Sequence, residues 1–221
     1  MKTSCVRIGR FLVLRLPDHM GLGGALRLGV EHCSNELICR MDSDDISVPT
    51  RCERQLAAFG DDPALSLCSG YIAEFTADEC HPTGIRKVPV THQDILRYAR
   101  RRNPMNHMAV MFRKSAVMAA GGYVELPLAE DYYLWVRMLH CGCVAANLGE
   151  VLVYARTGAS MYGRRGGAGY VKKMLRVQRA MLDLGFIDRR TYVCNCVIRA
   201  LVGLVPNRVR GVVYEKGLRE S

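Results

Sequence analysis

The sequence predicts an α/β protein: a mixed sheet with helices around it, followed by a purely helical stretch. Three observations carry that prediction. An apolar run, a helical period and a second apolar run follow one another between Phe11 and Met41, short strand-like runs then alternate with amphipathic segments, and from Tyr170 onward only helical periodicity remains. The 221 residues, 49% of them hydrophobic, suffice for one substantial core.

In chain order, Phe11–Leu16 reads as a strand that Pro17 ends. Leu22, Ala25, Leu26, Gly29 and Val30 recur at helical spacing, so a helix is expected from Gly21 to about Cys33, and Glu36–Met41 as the next strand. Together they predict a βαβ unit. Pro49, at an expected first helical position, opens a helix through Phe59. Leu65–Phe75 reads as a strand, and "THQD" at 91–94 as a capping box for a helix through Arg101. Met108–Phe112 reads as a short strand, and Ser115 as the cap of a brief helix stopped by Gly121–Gly122. "AEDYYLWVRMLHCG", 129–142, is helical with Tyr132, Trp135, Val136 and Leu139 on one face, which makes Trp135, the sole tryptophan, a core residue. Val151–Tyr154 is an expected strand and "RTGASMYGRRGGAG" a Gly- and Arg-rich loop. Helices are expected over 170–184, 189–205 and 209–218.

The net charge of +10 is concentrated late: from Val151 onward fourteen Lys or Arg face four Asp or Glu. An anionic partner follows: nucleotide phosphate, lipid headgroup or nucleic acid. Nucleic acid is disfavoured, because aromatic residues are not interleaved with the basic clusters. The ten cysteines lack the regular spacing of a disulfide framework, and the two Cys-x-Cys pairs are too tightly spaced for structural zinc. The amino-terminal stretch is too short and too interrupted for a signal peptide, and no run is apolar enough to span a bilayer.

Residues 40–51, "RMDSDDISVPTR", place Asp42, Asp44 and Asp45 after the apolar Leu37-Ile38-Cys39. Carboxylates this close repel, so a cation is expected beside them, and an Mg²⁺ or Mn²⁺ ion also holding a substrate phosphate meets that need. The alternative is an Asx turn with a helix cap. Glu130 and Asp131 open the 129–142 helix, where acids complement the helix dipole or serve chemistry.

"RMDSDDISVPTRCERQ" resembles the aspartate motif of family 2 glycosyltransferases, inverting enzymes of the GT-A fold, particularly those that build bacterial exopolysaccharide and lipopolysaccharide. "GLGGALRLGVEHCSNELICRMDSDDISVPTRCERQ" is similar to the family's glycine-dotted helix plus that motif, "NPMNHMAVMFRKSAVMAAGGY" to its middle segment, and "LAEDYYLWVRM" to its acceptor-site helix. The resemblance implies a nucleotide-diphospho-sugar donor, with Asp42 and Asp44 holding a divalent cation against its diphosphate. It implies Asp131 as the general base that deprotonates a saccharide or lipid-linked acceptor, with Glu130 beside it in the acceptor site. His107 is expected to contact the donor or to be a hydrogen-bonded structural residue. Arg164 and Arg165 are expected to grip the diphosphate or to form a solvated basic loop.

Relative to the family, His19 and Arg27 stand where Asn is usual, and the chain is expected to start at the family's third strand, about seventy residues late. The expected fold is thus an incomplete GT-A sheet over residues 1–165, with an apolar edge exposed, and a helical region over 166–221. That region pairs apolar residues with arginines in the manner of a helix lying on anionic lipid, which places the protein in the cytoplasm, peripherally at the inner face of the plasma membrane. The alternative expectation is a catalytically silent remnant that binds only membrane or a partner.

Overall fold

The computed structural model describes residues 4–16, 18–126, 128–158 and 167–204. Its main sheet has six strands: β3 (Leu37–Cys39), β4 (Ile46–Ser47), β5 (Leu65–Phe75), β6 (Gly84–Arg86), β7 (Met111–Arg113) and β8 (Val144–Arg156). The order is β3-β7-β5-β8-β4, with β6 also on β5, and only the β5–β8 pairing is parallel. Side chains alternate along the pleat, so one sheet is packed on both faces. Leu67 and Phe112 join Ile95 of α3 (His92–Ala99) and Leu134, Trp135 and Met138 of α5 (Glu130–His140), whereas their neighbours Cys68 and Met111 meet Phe59 of α2 (Arg51–Asp61).

The first strand is where sequence and structure part. Phe11–Arg15 (β2) pairs antiparallel with β1 (Ser4–Ile8) in a separate two-stranded sheet, and no βαβ unit forms with Leu37–Cys39. The reason is local: a two-residue Gly9-Arg10 connection, with Gly9 at φ +59°, reverses the chain before β2 can join the main sheet. β3 therefore lies at the end of the sheet, paired on one side with β7 and, among the described residues, with no strand on the other. Leu37 and Ile38 of β3 are half-buried there, and α1 (Gly21–His32) and the hairpin border that side: Leu12, Leu14, Val30 and Ile38 line a cleft of about 420 Å³.

Other elements shift for identifiable reasons. Met108–Phe112 is not one strand: a single 3₁₀ turn, His107–Ala109, precedes β7. Helix α4 (Lys114–Ala119) begins before Ser115, whose hydroxyl and amide are drawn instead to Glu36. α2 starts at Arg51, two residues past Pro49. β8 extends well beyond Val151–Tyr154 because buried Asn147, a poor strand former in sequence, donates to the Pro89 (2.6 Å) and Pro104 (3.0 Å) carbonyls. Gly70 of β5 gives β8 room at a shift of register, since a Cβ there would lie 2.6 Å from Leu152. The Thr91 cap forms as expected: its hydroxyl accepts from the Asp94 amide at 3.2 Å.

Helices α6 (Gly167–Asp183) and α7 (Arg189–Leu204) form a hairpin on α5, with Met174, Val177 and Met181 packed on Ala129, Tyr132 and Val136. The expected third helix at 209–218 lies outside the described residues.

One buried cation ties these layers. Arg51, 1% exposed, donates from Nη2 to the carbonyls of Arg40 (2.8 Å) and Val110 (3.2 Å), and from Nε to Gln55 (3.0 Å). Arg51→Met takes the guanidinium away from the Arg40 carbonyl and Gln55, while the Val110 carbonyl keeps only the Arg40 amide (3.0 Å), and urea unfolding is expected to show a loss of about 3 kcal/mol. A loss within about 0.5 kcal/mol would mean that this linkage contributes little.

Candidate active site

Asp42, Asp44 and Asp45 form one turn between β3 and β4, at the sheet's carboxyl-end side of β3. The cation demanded by their mutual repulsion is in part the chain's own. Arg40 clasps Asp42 through two parallel bonds, Nη1 to Oδ2 at 2.7 Å and Nη2 to Oδ1 at 2.5 Å. Behind the turn, the Arg156 amide donates to Asp45 Oδ1 at 2.8 Å, and its side chain donates to the Asp44 carbonyl at 3.4 Å while stacking on Phe75. Burial pushes the Asp45 carboxyl above the usual range, and its Oδ2 is buried without a hydrogen-bond partner. The Asp44 carboxylate is exposed and makes no hydrogen bond among the described residues. No three His, Cys, Asp or Glu side chains among the described residues converge tightly enough to hold an ion alone. An oxygen-only turn with an open carboxylate still fits a hard cation, which is held by one or two carboxylates and completed by water and substrate phosphate.

The second group stands on α5 and the loop before β7. Asp131, half-buried in the first turn of α5, accepts a 2.6 Å hydrogen bond at Oδ2 from the Asn103 amide, whose own oxygen is fixed by the Met105 amide at 3.2 Å. Oδ1 accepts no hydrogen bond among the described residues. Glu130 beside it is buried, and that burial raises its carboxyl above the usual range. His107 Nε2 lies 2.9 Å from the Tyr123 hydroxyl, and both rings pack on Trp135.

The His107–Tyr123 pair is where the two groups meet. Loss of hydration pushes His107 down to about 4, against the pull of Asp131 and Asp42, with Arg40 adding to the fall; burial, then Asp131, raises the Tyr123 hydroxyl. The pair therefore feels the aspartate turn and Asp131 together. Asp42, His107, Glu130 and Asp131 are brought to one neighbourhood, with Asp44 on the exposed side of the turn. Arg164 and Arg165 lie outside the described residues. Arg40, Asn103 and Tyr123 received no role from the sequence. Arg40 was legible as the cation nearest the acids, but nothing in "NP" or "GGY" signals which side chains fold back to Asp131 and His107. Arg40 and Tyr123 also line the cleft beside β3.

The sequence profile of "Glycosyl transferase family 2" matches residues 3–118. The chain belongs to this family. It is 36% identical over 208 residues to the amylovoran biosynthesis glycosyltransferase AmsE of Erwinia amylovora, a match covering 93% of this chain and 76% of that protein. It is 35% identical over 204 residues to the UDP-Gal:alpha-D-GlcNAc-diphosphoundecaprenol beta-1,3-galactosyltransferase of Escherichia coli, covering 92% and 74%. Two solved structures share the fold: the mannosyltransferase PcManGT of Pyrobaculum calidifontis in complex with GDP-Man and Mn²⁺ (TM-score 0.54, 11% identity) and S. aureus TarS 1–349 (TM-score 0.53, 13% identity). They cover 90% and 89% of this chain, and the family 2 chain spans 60% and 55% of theirs. The fold is thus that of the GT-A glycosyltransferases.

A neutral, half-buried histidine leaves a pH signature. With a folded value near 4 and an ordinary one near 6.5, the unfolded chain binds more protons across that window. His107's contribution is complete above about pH 6.5 and declines as pH falls toward 4, by up to about 3 kcal/mol. The raised Asp45 and Glu130 carboxyls act in the opposite sense at the acid end, so the comparison is with His107→Gln. Urea unfolding at pH 5, 6 and 7 is expected to show a gap between wild type and variant that narrows as pH falls; a constant gap would contradict a neutral His107.

Proposed function

We propose that this family 2 glycosyltransferase moves a sugar from a nucleotide-diphospho-sugar to a hydroxyl of a saccharide or lipid-linked acceptor, with inversion, in cell-surface polysaccharide synthesis. The observation that carries this reading is Asp131: a carboxylate fixed at one oxygen by Asn103 with the other left to take a proton, sharing the His107–Tyr123 neighbourhood with the aspartate turn. In an inverting displacement the acceptor oxygen attacks the anomeric carbon as its proton passes to a base on that side, and the nucleoside diphosphate leaves from the other. Asp131 is the base and Glu130 shapes the acceptor side.

The leaving diphosphate gains negative charge, which a divalent cation, Mg²⁺ or Mn²⁺, would neutralise when bound. Asp44 offers that ion an open carboxylate. Asp42 would serve as a second ligand, and Arg40, which clasps it here, would be a forked donor suited to phosphate. Neutral His107 can give one N–H to the donor without adding charge, and Arg164 and Arg165 are assigned to the diphosphate from sequence alone. The PcManGT structure's GDP-Man and Mn²⁺ and the E. coli relative's diphosphoundecaprenol acceptor support this reading by likeness. A lipid-linked acceptor would favour a peripheral position at the cytoplasmic face of the membrane; no helix among the described residues is long and apolar enough to cross one.

Two experiments test it. Calorimetric titration with Mn²⁺ and UDP or GDP is expected to give metal-dependent heats that Asp44→Ala removes; equal heats would take the cation away from this turn. Asp131→Asn is expected to lower transfer about 10²- to 10⁴-fold while donor binding persists. Wild-type turnover in that variant would remove Asp131 from the chemistry. Absence of both donor binding and transfer in the wild type would favour a silent family member.

A further inference from the structure

Side chains alternate along β3, so Leu37 and Cys39 face α2 while Ile38 packs on the opposite core. Cys39 thereby meets the first turn of α2, and its Sγ lies 3.9 Å from that of Cys52. Both residues are exposed free cysteines, and no other thiol–thiol hydrogen bond occurs among the described residues. The fold imposes this contact. Arg51 Nη2 donates to the Arg40 carbonyl at 2.8 Å, and each cysteine adjoins one end of that bond: Cys39 precedes Arg40, and Cys52 follows Arg51. What fixes α2 against β3 therefore fixes the two sulfurs.

The electrostatics favour sulfur chemistry at this pair. The Arg51 guanidinium feels both sulfurs, Cys39 more than Cys52, so a thiolate at either stands beside a fixed positive charge. Burial pushes the Cys39 thiol up to about 11, against the pull of Arg51 and with Cys52 adding to the rise. Cys39 thus holds its proton at neutral pH, and an oxidant meets Cys52 first. Cys68, the third cysteine near Arg51, is fully buried and donates its thiol to the Ser69 carbonyl at 3.7 Å, which keeps it out of the exchange.

We propose that Cys39 and Cys52 are a modification site at which a hydroperoxide forms a reversible intramolecular disulfide. The Cys52 sulfur takes one oxygen from the peroxide to become a sulfenic acid, and the other oxygen leaves as water. The Cys39 sulfur then attacks the Cys52 sulfur, and the displaced hydroxyl leaves with the Cys39 proton as a second water. Two thiols lose two electrons and two protons, and the peroxide receives them. Attack by an external dithiol breaks the bond and restores both thiols. The sulfurs must close from 3.9 Å to about 2.0 Å. β3 can yield to that pull, because it is the end strand and among the described residues pairs only with β7.

The bond would close residues 39–52 into a ring that contains Asp42, Asp44 and Asp45. It would also tie the end of β3, and with it Arg40 and its clasp on Asp42, to α2. This consequence rests on the proposed function: a turn that must rearrange around a cation and a diphosphate binds them less well when its two ends are covalently joined.

The test begins with the full chain, reduced and freed of reductant, then treated with hydrogen peroxide, alkylated and digested with trypsin. Mass spectrometry is expected to find residues 28–40 joined to residues 52–54, two hydrogens lighter than the separate peptides, with the link inside one chain on a non-reducing gel. Dithiothreitol should release them. Cys39→Ser and Cys52→Ser should each abolish the joined pair, and Cys33→Ser, which changes the other cysteine of the first peptide, should keep it. No joined pair, a link through Cys33, or links only between chains would overturn the proposal. In calorimetry with Mn²⁺ and UDP, the oxidised chain is expected to bind about tenfold more weakly than the reduced one. Peroxide-treated Cys52→Ser should bind as the reduced chain does. Equal affinity in the two forms would overturn control of the turn by the disulfide. A disulfide that forms in a chain binding Mn²⁺ and UDP in neither state would count against the proposed function and leave the modification site standing.

Discussion

The site depends on a buried hydrogen-bond hub, the side-chain pair Arg51 and Gln55, one turn apart on α2. Arg51 holds the carbonyls of Arg40 and Val110, and Gln55, fully buried, donates to the carbonyls of Cys68 (3.3 Å) and Ala109 (2.9 Å). These carbonyls lie in or beside β3, β5 and β7. One helix face therefore sets the relative positions of the aspartate turn, the central strand and the turn that carries His107. Two long polar side chains under an otherwise apolar sheet are thereby accounted for by the backbone acceptors they satisfy.

From that hub the two halves of the site acquire different characters. The aspartate turn is tense: Arg40 clasps the Asp42 carboxylate, the Arg156 amide holds one oxygen of Asp45 while the other is buried unpaired, and the Asp44 carboxylate faces solvent. The Asp131 half is settled, with its carboxylate oriented by Asn103 and its surroundings made of rings that pack on Trp135. A transferase needs this division. On the proposed reading, the aspartate turn as donor side would accept a new charge pattern when a diphosphate arrives, whereas Asp131 as base would already point correctly when the acceptor does.

The C-terminal helices belong to both sides of the molecule. Their inner faces extend the core through Met174, Val177 and Met181, and the polar contacts of Asn195 and Arg199 hold α7 on the loop that ends in Asn103. The same contacts leave its aliphatic side outward. One helix thus carries both a face held on the core and an exposed aliphatic face.

The sequence by itself determined the family and the alternation of strands and helices, and it marked the candidate acids, because these reside in local chemistry: three aspartates after an apolar run, Thr91 three residues before Asp94, Glu130-Asp131 at a helix start. It also raised the expectation of a cation by the aspartates, with an Asx turn as the alternative, and Arg40, two residues from Asp42, was legible as the nearest one. Only the tertiary structure brought Asn103 to Asp131, across 28 residues. The pairing of β2 was likewise beyond reach from pattern alone. An apolar run can lie in either of two sheets, and a two-residue turn at Gly9 chose the nearer partner because local closure forfeits less chain entropy than a distant one.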